Sequence, residues 1–184
     1  MNKPVISLVL LATIFGFMIS ASHVLTRETI AGNRQAFAAD QLRTVLDGAR
    51  DSITQIGPEL YYCKDENGLT GFIFQYTTFK AYNGKISFWI AVDKGNAIRG
   101  IRVIEHQETP GIGDKIDTSV SNWIRHFDDK NLDDYVWSLR RHGGDFDQFS
   151  GATITSKAMV DAVHAGLEVS SLKRNEWLRL LDND

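Results

Sequence analysis

Four hydroxyl residues and one glycine lie together in the segment 150–156, directly before an apolar helical repeat. The repeat predicts an α-helix that starts near Thr155, and its buried stripe comprises Met159, Val163, Gly166/Leu167 and Ser170. The unpaired N–H groups of a first helical turn favour an anion such as a phosphate, and Gly151 permits close approach of the backbone. The segment is therefore either a phosphate-binding helix start or simply a well-capped helix.

A second candidate is the loop from Glu108 to Asp114, which contains Pro110, Gly111 and Gly113. Proline fixes φ and glycine permits positive φ, so this loop can present backbone N–H groups to a flat ligand at close range. The alternative is a surface turn that joins a sheet to a helix.

The run 147–156 resembles the flavinylation motif of the RnfG (RsxG) and NqrC proteins, and every specified position of that motif is filled. The run 106–115 is similar to the Glu-Thr-Pro-Gly loop that lies beside the flavin in the same family. The resemblance also takes in residues 121–124 and Phe127, and with the N-terminal segment it covers nearly the whole chain. It implies an FMN-binding domain.

The resemblance implies that FMN is attached through a phosphoester to Thr155 by a separate magnesium-dependent flavin transferase, which takes FMN from FAD. It implies no catalytic residue and no metal ligand, since the flavin carries the redox chemistry. The remaining cofactor-binding positions implied by the two motifs are Ser150, Gly151, Ala152, Thr153, Glu108, Thr109, Gly111 and Ile112.

Length and composition bound the class of protein. At 184 residues the chain can form one globular unit with a short appendage. Its net charge of -3, without a basic stripe, argues against nucleic-acid binding. The single cysteine, Cys63, excludes an intrachain disulfide and a cluster that needs several thiolates, and a buried structural thiol is expected.

The run from Val5 to Leu25 carries no permanent charge and is long enough to cross a bilayer as a helix. We expect residues 1–25 to form a cytoplasmic tip and a single transmembrane anchor in a bacterial inner membrane. With the N-terminus in the cytoplasm, the FMN domain would lie in the periplasm, as in the family. A cleaved signal peptide is the competing interpretation.

The rest of the chain predicts an α+β fold, an antiparallel sheet with flanking helices. Residues 26–57 are assigned to a helical stalk and 58–184 to the FMN-binding domain. Asn-Gly pairs between β-prone runs predict hairpins, and the run 86–92, apolar on both faces, predicts a strand covered on each side. A short helix over 119–127, a strand over 135–139 and a short, separate C-terminal amphipathic segment that contains Trp177 complete the prediction.

The resemblance implies an electron-carrying subunit of a membrane complex that couples electron transfer between NADH and ferredoxin to ion translocation. Its partners would be the other subunits, the flavin transferase and the lipid bilayer. An NqrC-like subunit of a sodium-pumping NADH:quinone reductase remains an alternative, as do a free-standing periplasmic FMN reductase and a membrane-tethered interaction module without flavin.

Overall fold

The computed structural model describes residues 5–18, 20 and 42–181, which fall into two compact units that divide after Asp40. Residues 5–18 are helical, with exposed side chains. Within the described residues, no helix combines the length and the apolar character that a membrane crossing requires. The predicted anchor runs to Leu25, and its positions 19 and 21–25 lie outside the described residues, as does the predicted stalk over 26–41.

The second unit is built on a five-stranded antiparallel sheet in which neighbours along the chain are neighbours in space. Tight turns at 66–67 and 82–83 join the strands on either side of β3, and Gly68 and Gly84 begin the next strands with φ of 107° and 101°. The predicted Asn-Gly hairpins and the meander are therefore confirmed. The strands are β1 (Ser52–Gly57), β2 (Leu60–Asp65), β3 (Gly68–Ala81), β4 (Gly84–Asp93) and β5 (Ile98–His106).

The central strand β4 is covered on both faces, as the sequence predicts. One face contributes Phe88, Ile90 and Val92 to the main core. The opposite face contributes Trp89 and Ala91 to a smaller cluster with Cys63, Ile73, Leu42, Val45 and Leu46. Residues 42–45 are helical and belong to that smaller cluster.

The main core lies between the sheet and a 29-residue helix, α2 (Thr153–Leu181); α1 is the helical segment 5–18. The predicted stripe on this helix is buried throughout. Trp177 packs against Phe72 and Phe74, with ring centroids 5.4 and 5.2 Å away. The prediction of a separate C-terminal segment was wrong, since that segment is the last part of α2: no proline or glycine follows Gly166 to end the helix, and Trp177 holds it on the sheet.

Two further assignments differ from the structure. Residues 52–57, assigned to the helical stalk, form strand β1 and pair with β2. Their alternating polar and apolar pattern is short, and only pairing with β2 makes it a strand. Residues 135–139 were predicted as a strand but form a single bridge between Leu139 and Phe146. The aromatic residue that suggested a strand, Trp137, is instead stacked on Phe146 and His164.

Three short 3₁₀ helices cover the connection between β5 and α2: Asp114–Ile116, Trp123–Phe127 and Arg140–His142. The second corresponds to the predicted short helix, and its Trp123, Ile124 and Phe127 are buried as expected. This connection begins with the predicted loop and ends with the predicted helix start, so the fold brings both to the same end of α2.

Candidate functional site

A cavity of about 390 Å³ lies between the loop that follows β5 and the start of α2. Small-molecule sites have volumes of about 300–1,000 Å³. The two sequence motifs, some forty residues apart, thus form opposite walls of one pocket. Its lining residues are Tyr82, Glu108, Thr109, Ile112, Gly113, Gly151, Ala152, Thr153, Ile154 and Thr155.

The loop wall is shaped by its own backbone hydrogen bonds. The N–H groups of Ile112 and Gly113 both donate to the carbonyl of Thr109, at 3.1 and 3.0 Å. Gly111 adopts φ of 76°, and its N–H donates to the Asp114 carboxylate at 2.9 Å. A side chain would be strained at position 111, which accounts for glycine there.

Thr155, the predicted attachment residue, lies on the helix wall and is only 1% exposed. Its hydroxyl donates a short hydrogen bond to Oε2 of Glu108. Glu108 is itself 5% exposed, and its Oε1 accepts the backbone N–H of Asn83 at 2.8 Å. The β3–β4 hairpin therefore fixes the carboxylate that contacts Thr155.

The neighbouring hydroxyl of Ser156 has a different role. Its Oγ accepts the N–H of Phe149 at 2.9 Å and donates to the carbonyl of Ala152 at 3.0 Å. Trp123 supports the same segment, because its Nε1 donates to the carbonyl of Asp147 at 2.9 Å. Ser156 thus holds the loop before α2 in shape and does not line the cavity.

Seven of the nine predicted cofactor-binding residues line the cavity, whereas Ser150 and Gly111 do not. The sequence analysis missed Tyr82, Gly113 and Ile154 as lining residues. Gly113 lay within the predicted loop, so its proximity could have been expected. Ile154 is the variable position of the motif, and Tyr82 reaches the site only through the strand pairing of the β3–β4 hairpin.

The chemistry of the cavity suits a nucleotide with a flat ring. Helix α2 begins at the pocket, where the N–H groups of its first turn lack intrahelical acceptors and attract a phosphate. Arg141 adds positive charge there, since its Nη1 lies 3.4 Å from Oγ1 of Thr153. Tyr82, Ile112 and Ile154 are 67%, 45% and 55% exposed, and these side chains can cover a flavin ring.

A metal site is not evident: within the described residues, no group of three or more His, Cys, Asp or Glu side chains is arranged to hold a metal ion. The arrangement therefore offers a hydroxyl, a carboxylate and an anion-binding helix start.

The comparison with known families defines the class of this pocket. Residues 81–168 match the family model described as FMN-binding domain. The match contains both the loop after β5 and the start of α2, so the cavity lies within an FMN-binding domain.

The curated relatives define the particular protein that the chain resembles. They are named as the subunit designated G of an ion-translocating oxidoreductase complex, and one from Escherichia coli (strain K12) is 42% identical over 117 residues, which are 61% of this chain and 57% of that protein. The one from Haemophilus influenzae (strain PittEE) is 39% identical over 106 residues (56% and 51%), and the one from Salmonella typhi is 47% identical over 104 residues (54% and 50%). The predicted resemblance is confirmed, and the chain spans about half the length of the curated relatives it matches.

Proposed function

We propose that this chain is an electron-carrying subunit of a membrane-bound complex that couples electron transfer between NADH and ferredoxin to ion translocation. The electrons would pass through FMN held covalently, by a phosphoester, on Thr155. The observation that carries the proposal is that the Thr155 hydroxyl lines one cavity together with the Glu108–Gly113 loop.

The attachment residue follows from the position of the hydroxyl groups. Thr155 lies in the first turn of α2 and lines the cavity, so its oxygen is within reach of a phosphate that the helix start attracts. Ser156 has both of its hydrogen-bonding functions satisfied within the protein and does not line the cavity. The protein supplies binding and orientation, and the flavin when bound supplies the one-electron and two-electron chemistry.

The assembly is also part of the proposal. The relatives are named as subunits of an ion-translocating oxidoreductase complex, which supports other subunits of an Rnf-type complex as partners and an oxidoreductase role without turnover of the chain alone. The same names favour this role over an NqrC-like one. A flavin transferase would attach the FMN.

We place the chain in a bacterial inner membrane, anchored once through the apolar run 5–25, with the N-terminus in the cytoplasm and the FMN domain in the periplasm. The support is the absence of permanently charged residues from that run. Alkaline carbonate washing of membranes tests the anchor: the full-length chain is expected in the membrane pellet, and a shortened soluble form would indicate a cleaved signal instead.

Coexpression of the full chain with a flavin transferase tests the flavin assignment. After a denaturing gel, ultraviolet light should show a fluorescent wild-type band, a dark Thr155→Ala band and a fluorescent band for the matched control Ser156→Ala. A dark wild-type band, with the transferase active on a control protein, would contradict the proposal and favour an interaction module without flavin.

A further inference from the structure

The Glu108 carboxylate contacts the one hydroxyl that the proposed function assigns to phosphoester formation. It lies 47 residues before Thr155 in the chain, yet it accepts the Thr155 hydroxyl proton in a buried hydrogen bond. Both side chains are almost fully buried, and no water-exposed path is needed to pass a proton between them. A buried polar pair of this kind needs a reason beyond packing, since two apolar side chains would fill the same space.

The surroundings of Glu108 hold its carboxylate in one orientation. Within the part of the chain that the structure describes, no lysine, arginine or histidine forms an ion pair with this carboxylate. Its Oε1 is fixed by the backbone N–H of Asn83, and the N–H of Glu108 itself donates to Nδ1 of His106 at 3.2 Å. Oε2 is thereby directed at Thr155 and is available for a proton.

A threonine hydroxyl is a weak nucleophile until a base removes its proton. A candidate base must lie within hydrogen-bond reach of the proton that it takes, and Glu108 meets this condition in the folded chain. Among the described residues that line the cavity, Glu108 is the only one with a charged side chain. The flavin transferase therefore does not have to supply the base.

We propose that Glu108 is the proton acceptor for Thr155 when the flavin nucleotide is attached, an inference that rests on the proposed function. Oγ1 of Thr155 forms a bond to the phosphorus that bears the flavin in FAD, and the bond from that phosphorus to the bridging oxygen breaks. AMP leaves with the electron pair of the broken bond, and the Thr155 proton passes to Oε2 of Glu108. No oxidant or reductant takes part.

The same transfer removes an electrostatic conflict from the product. The new phosphoester carries a negative charge beside a carboxylate that has lost its hydrogen-bond donor. Two anions in contact at a buried site repel each other strongly because little solvent screens them. A neutral Glu108 instead donates the proton that it received to a phosphoester oxygen, so the attached state keeps a hydrogen bond where the free state had one.

The test measures the initial rate of covalent labelling of the full chain by purified flavin transferase with FAD and Mg²⁺, followed by in-gel fluorescence and intact mass. Glu108→Gln keeps the shape of the side chain but cannot accept the proton at neutral pH. We expect it to be labelled at least ~100-fold more slowly, the usual size of a general-base contribution. The matched control is Glu105→Gln, which removes an exposed carboxylate three residues away that pairs with Lys85; it should be labelled at the wild-type rate.

A second variant separates proton transfer from folding. Glu108→Ala leaves space where the carboxylate was, so added formate should restore part of its labelling rate while leaving the wild-type rate unchanged. This comparison uses one protein preparation with and without formate, so a change in fold cannot produce the difference. Labelling of Glu108→Gln at the wild-type rate, with no formate effect on Glu108→Ala, would overturn the role of Glu108. Failure of the wild-type chain to be labelled by an active transferase would instead contradict the proposed function.

Discussion

Gly113 lies so close to Glu108 that a Cβ atom at position 113 would be 2.8 Å from Oε2 of that carboxylate. The same atom would lie 3.3 Å from Oγ1 of Thr155. Gly113 has φ of -96°, which any residue can adopt, so the need for glycine here is one of space and not of backbone conformation. The loop is therefore fitted to the Glu108–Thr155 pair at atomic distance.

The first prediction concerns this contact. Gly113→Ala should displace the Glu108 carboxylate and lower both the rate of flavin attachment and the stability, the latter by about 1–3 kcal/mol as for other overpacked sites. Urea unfolding and in-gel fluorescence measure the two effects. Gly57→Ala is the matched control, because a Cβ there meets only Leu60, at an ordinary distance of 3.7 Å. Wild-type labelling of Gly113→Ala would show that the contact has no role in the site.

The second prediction separates the two adjacent hydroxyl residues. Ser156→Ala leaves the buried N–H of Phe149 without its acceptor, which should cost about 1–3 kcal/mol of stability. The same variant should still carry covalent flavin, since Thr155 is unchanged. Thermal unfolding and gel fluorescence check the two halves. A stable Ser156→Ala variant that has lost its flavin would move the attachment site from Thr155 to Ser156.

The third prediction concerns pH. Burial raises the pKa of Asp128 from 3.8 to about 6, and its Oδ1 has no hydrogen-bond partner among the described residues. Between these values the folded chain binds more protons at this residue than the unfolded chain does. The stabilisation from protonated Asp128 is therefore fully present below pH 3.8 and is lost as the pH rises through about 6.

Asp128→Asn removes this titration, so the stability of the variant relative to wild type should increase from pH 4 to pH 7. The measurement is urea unfolding at several pH values, with the exposed Asp133→Asn as the control. A difference between Asp128→Asn and wild type that is the same at every pH would contradict the assignment.

The fourth prediction concerns the single cysteine. Cys63 is 1% exposed, and burial raises the pKa of its thiol to about 12. Since the thiolate is the reactive form, the folded chain should resist iodoacetamide at pH 8. The same chain in denaturant should be modified fully, as mass spectrometry can show. Equal modification rates in the two states would mean that the smaller core cluster opens readily.

Much of the fold could be predicted because its signals are local. Asn67 and Asn83 mark their hairpins through turn chemistry, and the stripe from Met159 to Ser170 marks the buried face of α2. Strand β1 and the segment 135–139 were misassigned because their structure depends on distant partners. Residues 52–57 need β2 to form a strand, and Trp137 packs on Phe146 and His164 where a strand was expected.

The candidate site shows the same division. The attachment residue, the helix start and the loop were identified through motifs, and the structure brings them to one cavity. The hydrogen bond from Thr155 to Glu108 could not be predicted, because it depends on how the loop after β5 folds back onto α2. Tyr82 was missed for the same reason: its place in the pocket follows from hairpin geometry and not from any motif.

The central claim is that Thr155 carries the flavin, and peptide mapping tests it most directly. The full chain is labelled by an active flavin transferase and digested, and the peptide that contains residues 150–156 is fragmented in a mass spectrometer. The account predicts an added mass of one FMN less water, located on Thr155. An unmodified peptide, or a modification located on Ser156 or elsewhere, would contradict it.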